Sequence, residues 1–358
     1  MALSVSSLRF SDRSQLRQSL AEAGISGQPR LILYGDRESL ASLGTLFWAL
    51  EWAAIGPVKV LGVPFDALSD GDGGQTSANA GEARSGGRSP TAEAHSDGDP
   101  LQTETVAAVI DSSRLRSRLG KTGLVVLDLR SGWEADFEAP ADFASGHIPR
   151  SIPADPQVLL GDSPWPDPAH VRQRLRDVRI RASDAVHPAA DFVLVGRSEG
   201  DEVAGLTYFL LRLAGVEVSV LSGGWKEWRA QAQNPTVRII GTHEMKALLA
   251  QENPGLDHDR VPAGFMFLDL RETWDFNTRH LPGAVVLPAP DFQDQFLQVA
   301  EEHWPGLAPD QPIVFYCYGH ECIRSWRAAA WAAGMGYRNL LWFRGGVDAW
   351  QEEGLPLF

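Results

Sequence analysis

Two cysteines, Cys317 and Cys322, are the only thiols in this chain of 358 residues, and they lie in one short segment. An apolar run over residues 312–316 leads directly into Cys317, and a helical pattern begins near Ser325. Ligands of open α/β sheets bind where a strand gives way to a loop and a helix, because backbone N–H groups create positive potential there. A thiolate in that position is a nucleophile, and the same N–H groups could hold a persulfide or an oxyanion. The pattern therefore predicts chemistry through a covalent cysteine intermediate.

Other residues of this loop could take part in the same chemistry. His320 and Arg324 can add positive charge beside Cys317. Cys322 is a possible resolving thiol, since it could attack a persulfide or a sulfenic acid at Cys317 and form a disulfide. Such a bridge requires the two Cα atoms to lie within about 7 Å of each other.

A simpler interpretation stays open for each cysteine, because free cysteine is often a well-buried packing residue. A Cys317 sulfur exposed at the base of a cleft and ringed by N–H groups would favour chemistry. A buried Cys317 sulfur would favour a module without catalytic activity.

The elements that would position this loop occur three times in the chain. Each copy reads as strand, loop, helix and strand, which is the parallel crossover unit of an α/β fold. The first strands of the three copies begin near residues 31, 192 and 312. In the first two copies Gly35 and Gly196 stand near the position of Cys317, so those loops have no thiol chemistry. Repetition of this length favours duplicated domains.

The two later copies also share a front half. Residues 124–130 (LVVLDLR) and 265–271 (FMFLDLR) each predict a buried strand that ends in Asp-Leu-Arg. A His-x-Pro turn follows at His147 and at His280. Because one of these two copies lacks a thiol, we interpret the repeated histidines and aspartates as structural elements.

Together these paired halves resemble the rhodanese (sulfurtransferase) superfamily. The matching pieces in the last copy are the Asp269-Leu270-Arg271 sequence, the turn that starts at His280, the strand into Cys317, and the Gly-Gly-x-x-Ala-Trp ending at Trp350. The resemblance implies tandem rhodanese-like domains of the α/β class, each with a parallel five-stranded sheet flanked by helices. It implies that Cys317 takes sulfane sulfur from a small anionic donor of the thiosulfate or mercaptopyruvate class and passes it to a thiophilic acceptor, such as a thiol. The residues expected to bind the substrate are Arg324, His320, Gly319, Ser325 and Arg271.

The domain organisation predicted from these patterns has four parts. Residues 1–65 form a partial rhodanese-like half-domain without cysteine, and residues 66–104, rich in Gly, Ser, Ala and Asp, form a flexible linker. Residues 105–235 form an inactive rhodanese-like domain, and residues 236–358 form the rhodanese-like domain with the Cys317 loop.

Composition restricts the partners and the location. A net charge of −14 repels phosphate backbones and anionic lipid, so we expect neither a nucleic acid nor a membrane as a partner. No apolar stretch reaches the roughly 18–20 residues of a membrane span, and no secretory signal is recognisable, so a cytoplasmic protein is expected. Metal-ligand spacing and nucleotide-binding loops are absent from the sequence, so no metal and no cofactor are expected.

Two alternatives to a sulfurtransferase stay open on the sequence. One is a catalytically silent rhodanese-like binding or regulatory module. The other is a thiol redox switch formed by Cys317 and Cys322.

Overall fold

A computed structural model describes most of the chain outside the predicted linker. The described residues are 5–10, 12–27, 31–56, 58–60, 108–121, 123–130, 140–162, 165–182 and 191–358, with 177–182 described by backbone alone. The predicted linker, residues 66–104, lies outside them. Among the helices of these residues, none is long and apolar enough to cross a membrane.

Twelve strands and thirteen α-helices occur in the described residues. The strands are β1 (Leu31–Leu33), β2 (Val58–Val60), β3 (Val109–Ile110), β4 (Leu124–Asp128), β5 (Ser151–Pro153), β6 (Asp191–Val195), β7 (Val218–Leu221), β8 (Thr236–Ile240), β9 (Met266–Asp269), β10 (Val285–Val286), β11 (Ile313–Tyr316) and β12 (Asn339–Phe343). The helices are α1 (Arg13–Glu22), α2 (Leu40–Ala53), α3 (Ser112–Arg116), α4 (Ala141–Ala144), α5 (Pro156–Leu160), α6 (Pro168–Ala182), α7 (Glu202–Leu213), α8 (Gly224–Ala230), α9 (Thr242–Glu252), α10 (Thr273–Thr278), α11 (Phe292–His303), α12 (Arg324–Gly334) and α13 (Gly346–Glu352).

Two five-stranded parallel sheets confirm the fold predicted from the repeated halves. The middle sheet has the order β3-β7-β6-β4-β5, and the last sheet has the corresponding order β8-β12-β11-β9-β10. The inner strands β4, β9 and β11 are buried at every residue. Strands covered by helices on both faces read as continuous apolar runs, which explains their composition. In each sheet the central strand, β6 or β11, leads into the loop that the sequence singles out.

The first strand–helix–strand copy forms a two-stranded parallel sheet, β1 with β2. Its helix α2 packs against α7 of the middle domain. The two backbones approach closely where both helices have glycine, since a Cβ on Gly44 would lie 2.8 Å from the Gly205 carbonyl oxygen. Near the end of α2, the Glu51 carboxylate accepts hydrogen bonds from the Tyr208 hydroxyl at 2.6 Å and from Arg212 Nε at 3.1 Å. The first copy is therefore held on a helix of the middle domain.

The His-x-Pro turn of the middle domain joins it to the last domain. The backbone N–H of His147 donates to the Val237 carbonyl, and that of Val237 donates to the His147 carbonyl, each at 2.9 Å. Since Val237 lies in β8, a strand of the last domain's sheet also forms backbone hydrogen bonds with a turn of the middle domain. In the last domain, His280 makes the same two-way contact with Phe358 near the end of the chain.

Candidate active site in the last domain

Cys317 directly follows the central strand β11 and is held from the start of α13. The Cys317 carbonyl accepts a hydrogen bond from the Val347 N–H at 3.1 Å, and the Tyr318 carbonyl accepts one from the Asp348 N–H at 2.9 Å. Gly346, at φ = +55°, allows this approach. A side chain there would strain the backbone and enter the space of the loop carbonyls. The Gly-Gly ending of the sequence repeat therefore positions the Cys317 backbone.

A disulfide bond joins Cys317 to Cys322 within this loop. The Cα atoms are 6.3 Å apart, inside the limit for a bridge of about 7 Å. The N–H of Cys322 donates to the Gly319 carbonyl at 3.0 Å, so a tight turn brings the second cysteine back over the first. Cys317 is only 1% exposed, whereas Cys322 is half-buried. Burial of Cys317, taken alone, favours the catalytically silent module. Here the burial is a property of the oxidised loop, in which the Cys322 sulfur is bonded directly to the Cys317 sulfur.

Helix α12 begins behind the disulfide without a side-chain cap. Ile323 is its N-cap residue and makes no capping hydrogen bond. Ser325, in the first turn, is buried, and its hydroxyl accepts a hydrogen bond from Trp342 Nε1 at 2.9 Å. The Ser325 side chain is thus engaged with β12. A helix N-terminus that lacks a capping side chain can turn its backbone N–H groups toward an anion.

Arg324, predicted to bind the donor, is paired with a carboxylate. Its Nη1 lies 2.9 Å from Glu272 Oε1, and the two side chains are 34% and 40% exposed. This contact lacks hydrogen-bond geometry, so Nη1 is a buried atom without a hydrogen-bond partner among the described residues. The guanidinium also lies 5.7 Å from the centre of the Tyr318 ring. An anionic donor would therefore have to compete with Glu272 for Arg324.

Arg271, the other arginine predicted to bind substrate, is tied to Asp269. Arg271 Nε donates to both Asp269 carboxylate oxygens at 3.0 Å, and Arg271 Nη2 donates to Asp269 Oδ2 at 2.6 Å and to the Arg279 carbonyl at 2.7 Å. Burial opposes the charge, but Asp269, together with Tyr316 and Asp275, outweighs burial and raises the pKa of Arg271. Arg130 and Asp128 form the same pair in the domain without cysteine. A shared arrangement of this kind is structural, although the Arg271 guanidinium also lies 5.6 Å from the Tyr318 ring.

Tyr318, which the sequence did not single out, lies between the two arginines. Its hydroxyl donates to the Asp275 carboxylate. Burial and this hydrogen bond raise the pKa of Tyr318, so the phenol stays protonated. Its position directly after Cys317 was the one feature of the sequence that could have indicated a role in the site. Its hydrogen-bond partner Asp275 is far away in sequence and gives no such indication.

The remaining predicted site residues, Gly319 and His320, lie between the two cysteines of the loop. Gly319 is buried, and a Cβ there would stand 2.5 Å from Asp348 Oδ2, which accounts for glycine at this position. His320 is exposed, and its carbonyl accepts a hydrogen bond from Arg344 Nε at 3.3 Å. Burial lowers the pKa of Arg344. Arg344 is a cation beside the loop that sequence reasoning missed, because it follows the distant strand β12.

The two repeated histidines are structural, as their repetition indicates. His147 Nδ1 lies 2.9 Å from the Phe143 carbonyl, and His280 Nδ1 lies 2.9 Å from the Phe276 carbonyl. Each ring stacks on that phenylalanine with centroids 3.8 Å apart. Burial lowers the pKa of His147 to about 3 and also lowers that of His280. Both imidazoles are therefore neutral parts of the turn.

The loop of the middle domain shows what replaces the thiol. Gly196 takes the position of Cys317, since its carbonyl accepts a hydrogen bond from the Trp225 N–H at 2.9 Å, as that of Cys317 does from Val347. Asp201 caps α7 by accepting from the N–H groups of Val203 and Ala204 at 2.9 and 3.2 Å. The same carboxylate accepts from the Arg197 N–H at 2.7 Å. A carboxylate of the protein thus occupies the N–H groups that a bound anion would need.

Possible metal ligands cluster at one place in the described residues, away from this loop in sequence. Asp257, His258 and Asp259 bring one ligand atom each within 4.8 Å of the others, and all three residues are exposed. Exposed acidic groups are common without an ion, and we assign no metal to this cluster.

The duplicated five-stranded parallel sheets, with a cysteine after one central strand, define a tandem α/β protein with a candidate cysteine site, and comparison identifies the family. The Rhodanese-like domain family matches residues 111–231 and 243–353, which together make up more than half of the chain. The protein belongs to this family.

The chain is also similar to curated proteins named tRNA uridine(34) hydroxylase. That of Erwinia tasmaniensis is 28% identical over 178 residues, covering 48% of this chain and 45% of the relative. That of Sodalis glossinidius is 32% identical over 194 residues, covering 52% and 49%. The chain thus spans about half the length of these relatives. Among solved structures, the thiosulfate sulfurtransferase from Pseudomonas aeruginosa is 20% identical, with 70% of this chain and 43% of that chain covered and a TM-score of 0.27.

Proposed function

We propose that the protein is a sulfurtransferase in which Cys317 carries sulfane sulfur as a persulfide. The observation that carries this proposal is the place of Cys317 in a rhodanese-like domain, at the carboxyl end of the central strand β11 and before the uncapped helix α12. Backbone N–H groups in that position stabilise a thiolate, a persulfide anion and an anionic donor. The donor class is a small anion such as thiosulfate or 3-mercaptopyruvate, and the acceptor is a thiophile.

The proposed reaction has two transfers. The Cys317 thiolate attacks the outer sulfur of thiosulfate, a new S–S bond forms, and sulfite leaves with the electron pair of the bond that breaks. A thiophilic acceptor then attacks the terminal sulfur of the persulfide and restores the Cys317 thiolate. The oxidised loop must first be opened by a dithiol, which supplies two electrons and two protons to the Cys317–Cys322 bond.

The charged residues around the loop support an anionic donor. Arg324 would exchange Glu272 for the anionic group of the donor, because the existing pair is partly exposed and lacks hydrogen-bond geometry. Partly exposed pairs of this kind contribute only about 0–1 kcal/mol and are easily exchanged. Tyr318 would keep the guanidinium over its ring during that exchange.

A second candidate function, the thiol redox switch, is favoured by one observation, the bond between Cys317 and Cys322 itself. The names of the curated relatives suggest a different substrate, tRNA. The net charge of −14 opposes binding of a polyanion over the surface as a whole. We therefore propose a small anionic donor, and not tRNA, as the substrate.

Sulfur transfer from thiosulfate to cyanide tests the proposal. The protein is reduced with a dithiol, freed of it, and assayed for thiocyanate. The wild type should form thiocyanate in the first turnovers, before the loop becomes oxidised again, and Cys317→Ser should form none. Arg324→Gln should raise the KM for thiosulfate about tenfold, the equivalent of about 1.4 kcal/mol. Arg197→Gln, in the loop without cysteine, is the matched control and should change nothing. Full activity of Cys317→Ser would refute the proposal.

A further inference from the structure

We propose that Cys322 is a resolving cysteine that attacks the Cys317 persulfide and releases its outer sulfur as sulfide. This inference rests on the proposed function, because it needs a persulfide at Cys317. It adds a second outcome for the bound sulfur, which either passes to an external acceptor or leaves as sulfide while the loop becomes oxidised.

The loop itself brings the two sulfurs together, since both cysteines and the turn between them lie within six consecutive residues. The Cα atoms are 6.3 Å apart, and the hydrogen bond from the Cys322 N–H to the Gly319 carbonyl holds the turn between them. The chain has no third cysteine, so Cys322 is the only internal thiol that can reach Cys317. An intramolecular thiol acts at an effective concentration that a dilute external thiol does not match.

The two homologous loops differ where Cys322 stands. From Gly196 to the first residue of α7 is six positions (202 − 196), and from Cys317 to the first residue of α12 is seven (324 − 317). In the shorter loop, the Asp201 carboxylate caps the helix. In the longer loop, no side chain caps α12, and the extra length carries the second thiol back to the first.

The resolving step balances as a thiol–disulfide exchange. The Cys322 sulfur attacks the Cys317 Sγ, the bond between that Sγ and the outer sulfur breaks, and the outer sulfur leaves with the electron pair. The Cys322 proton accompanies it as HS⁻. The outer sulfur is reduced to the level of sulfide, and the two cysteines are oxidised to the disulfide seen in the structure. No further oxidant is needed.

The exposure of the two cysteines determines how the loop is reduced again. Cys317 is 1% exposed and Cys322 is half-buried, so an incoming thiolate can reach the Cys322 sulfur more easily. Attack there forms a mixed disulfide on Cys322 and frees the Cys317 thiolate. A second thiol of the same reductant then resolves the mixed disulfide. The partner class for turnover is therefore a dithiol reductant.

Anaerobic single turnover separates this inference from the proposed function. Reduced protein receives one equivalent of thiosulfate, samples are quenched in acid, and the intact mass and free sulfide are followed in time. The wild type should release about one sulfide per chain and end about 2 Da lighter than the reduced protein. Cys322→Ser and Cys322→Ala should gain about 32 Da, release no sulfide, and hold the added sulfur at least tenfold longer. Glu321→Gln, an exposed loop variant, should behave as the wild type does.

The contradicting outcomes differ for the two claims. If the wild type keeps the added sulfur as long as Cys322→Ser does and releases no sulfide, the resolving role is wrong while the sulfurtransferase proposal stands. If neither the wild type nor the two Cys322 variants ever gain sulfur, the sulfurtransferase proposal fails and the resolving role fails with it.

Discussion

The backbone of Gly346 lies directly against the carbonyl oxygen of Cys317, so that a Cβ atom on Gly346 would overlap this oxygen. The contact joins the start of α13 to the residue that we propose as the sulfur carrier. It recurs in the middle domain, where a Cβ on Gly224 would lie 2.7 Å from the Gly196 carbonyl oxygen. The two domains therefore use one device to fix the first residue of the loop, and only one of them places a thiol there.

Gly346→Ala should destabilise the last domain and displace Cys317. The residue has φ = +55°, and its Cβ would also come to 2.8 Å from the Tyr318 carbonyl oxygen. Backbone strain of about 1–2 kcal/mol and overpacking of about 1–3 kcal/mol together predict a loss of about 2–5 kcal/mol. Urea unfolding measures the change, and sulfur loading should fall with it.

Gly354→Ala is the matched control for that variant. Gly354 has φ = +66° with nothing within 4 Å of its added Cβ, so only the backbone strain of about 1–2 kcal/mol applies. Equal losses for the two variants would show that the contact with Cys317 contributes nothing.

Asp269→Asn should cost far more stability than removal of a surface carboxylate. Asp269 is fully buried, and its removal leaves the Arg271 charge buried without its partner, a loss of about 3–5 kcal/mol. Asp191→Asn, which breaks an ion pair with Arg118 at a carboxylate 60% exposed, should cost only about 0–1 kcal/mol. Free energies of unfolding at neutral pH compare the two. Similar values would contradict the structural role of the buried pair.

His147 should make the protein lose stability in acid. Its pKa is about 3 in the folded protein because burial penalises the charged imidazole, and about 6.5 when unfolded. The unfolded chain therefore binds a proton that the folded chain does not, and stability falls as the pH drops from about 6.5 towards 3. The contribution is up to about 1.4 kcal/mol per pH unit and is complete above pH 6.5.

His147→Gln isolates this contribution, and exposed His243→Gln is the control. Urea unfolding is measured at several pH values from about 4 to about 7, a range that covers most of the interval between the folded and unfolded pKa values of His147. The free energy of unfolding should depend less steeply on pH for His147→Gln alone. An unchanged slope would contradict the lowered pKa of His147 in the folded protein.

Placing a thiol in the middle domain should not create a second sulfur carrier. A Cβ at Gly196 would lie 2.7 Å from the Asp201 Cβ, and the Asp201 carboxylate already accepts from the N–H groups of this loop. Gly196→Cys in a Cys317→Ser background should gain no sulfur from thiosulfate. Sulfur loading of this Gly196→Cys variant in an intact-mass measurement would show that Asp201 does not block the site.

The repeat in the sequence was enough to predict the fold. The runs into Cys317 and into Gly196 are the central strands β11 and β6, and both sheets have five parallel strands. The repetition of the Asp-Leu-Arg sequence was also informative, since Asp269 with Arg271 and Asp128 with Arg130 form the same buried pair. Local patterns determine such features, because the residues that make contact lie within a few positions or repeat at equal spacing.

Much of the candidate site could not be predicted, because its contacts join distant parts of the chain. Glu272 pairs with Arg324, and Asp275 binds the Tyr318 hydroxyl across a sequence separation of 43 residues. The helix cap that Asp201 provides in the middle domain has no counterpart in the Cys317 loop, so comparison of the two loops could not predict it. The sequence indicated only that the two cysteines could lie close together, because the distance between them depends on the turn at Gly319.

The intact mass of the reduced Cys322→Ser protein after exposure to thiosulfate tests the central claim most directly. In this variant Cys317 is the only cysteine, so every sulfur adduct must be on it. We predict a gain of about 32 Da that disappears when cyanide is added, and no gain in the Cys317→Ser, Cys322→Ser double variant. A folded Cys322→Ser protein whose mass stays unchanged with both thiosulfate and 3-mercaptopyruvate would contradict the assignment of Cys317 as the sulfur carrier.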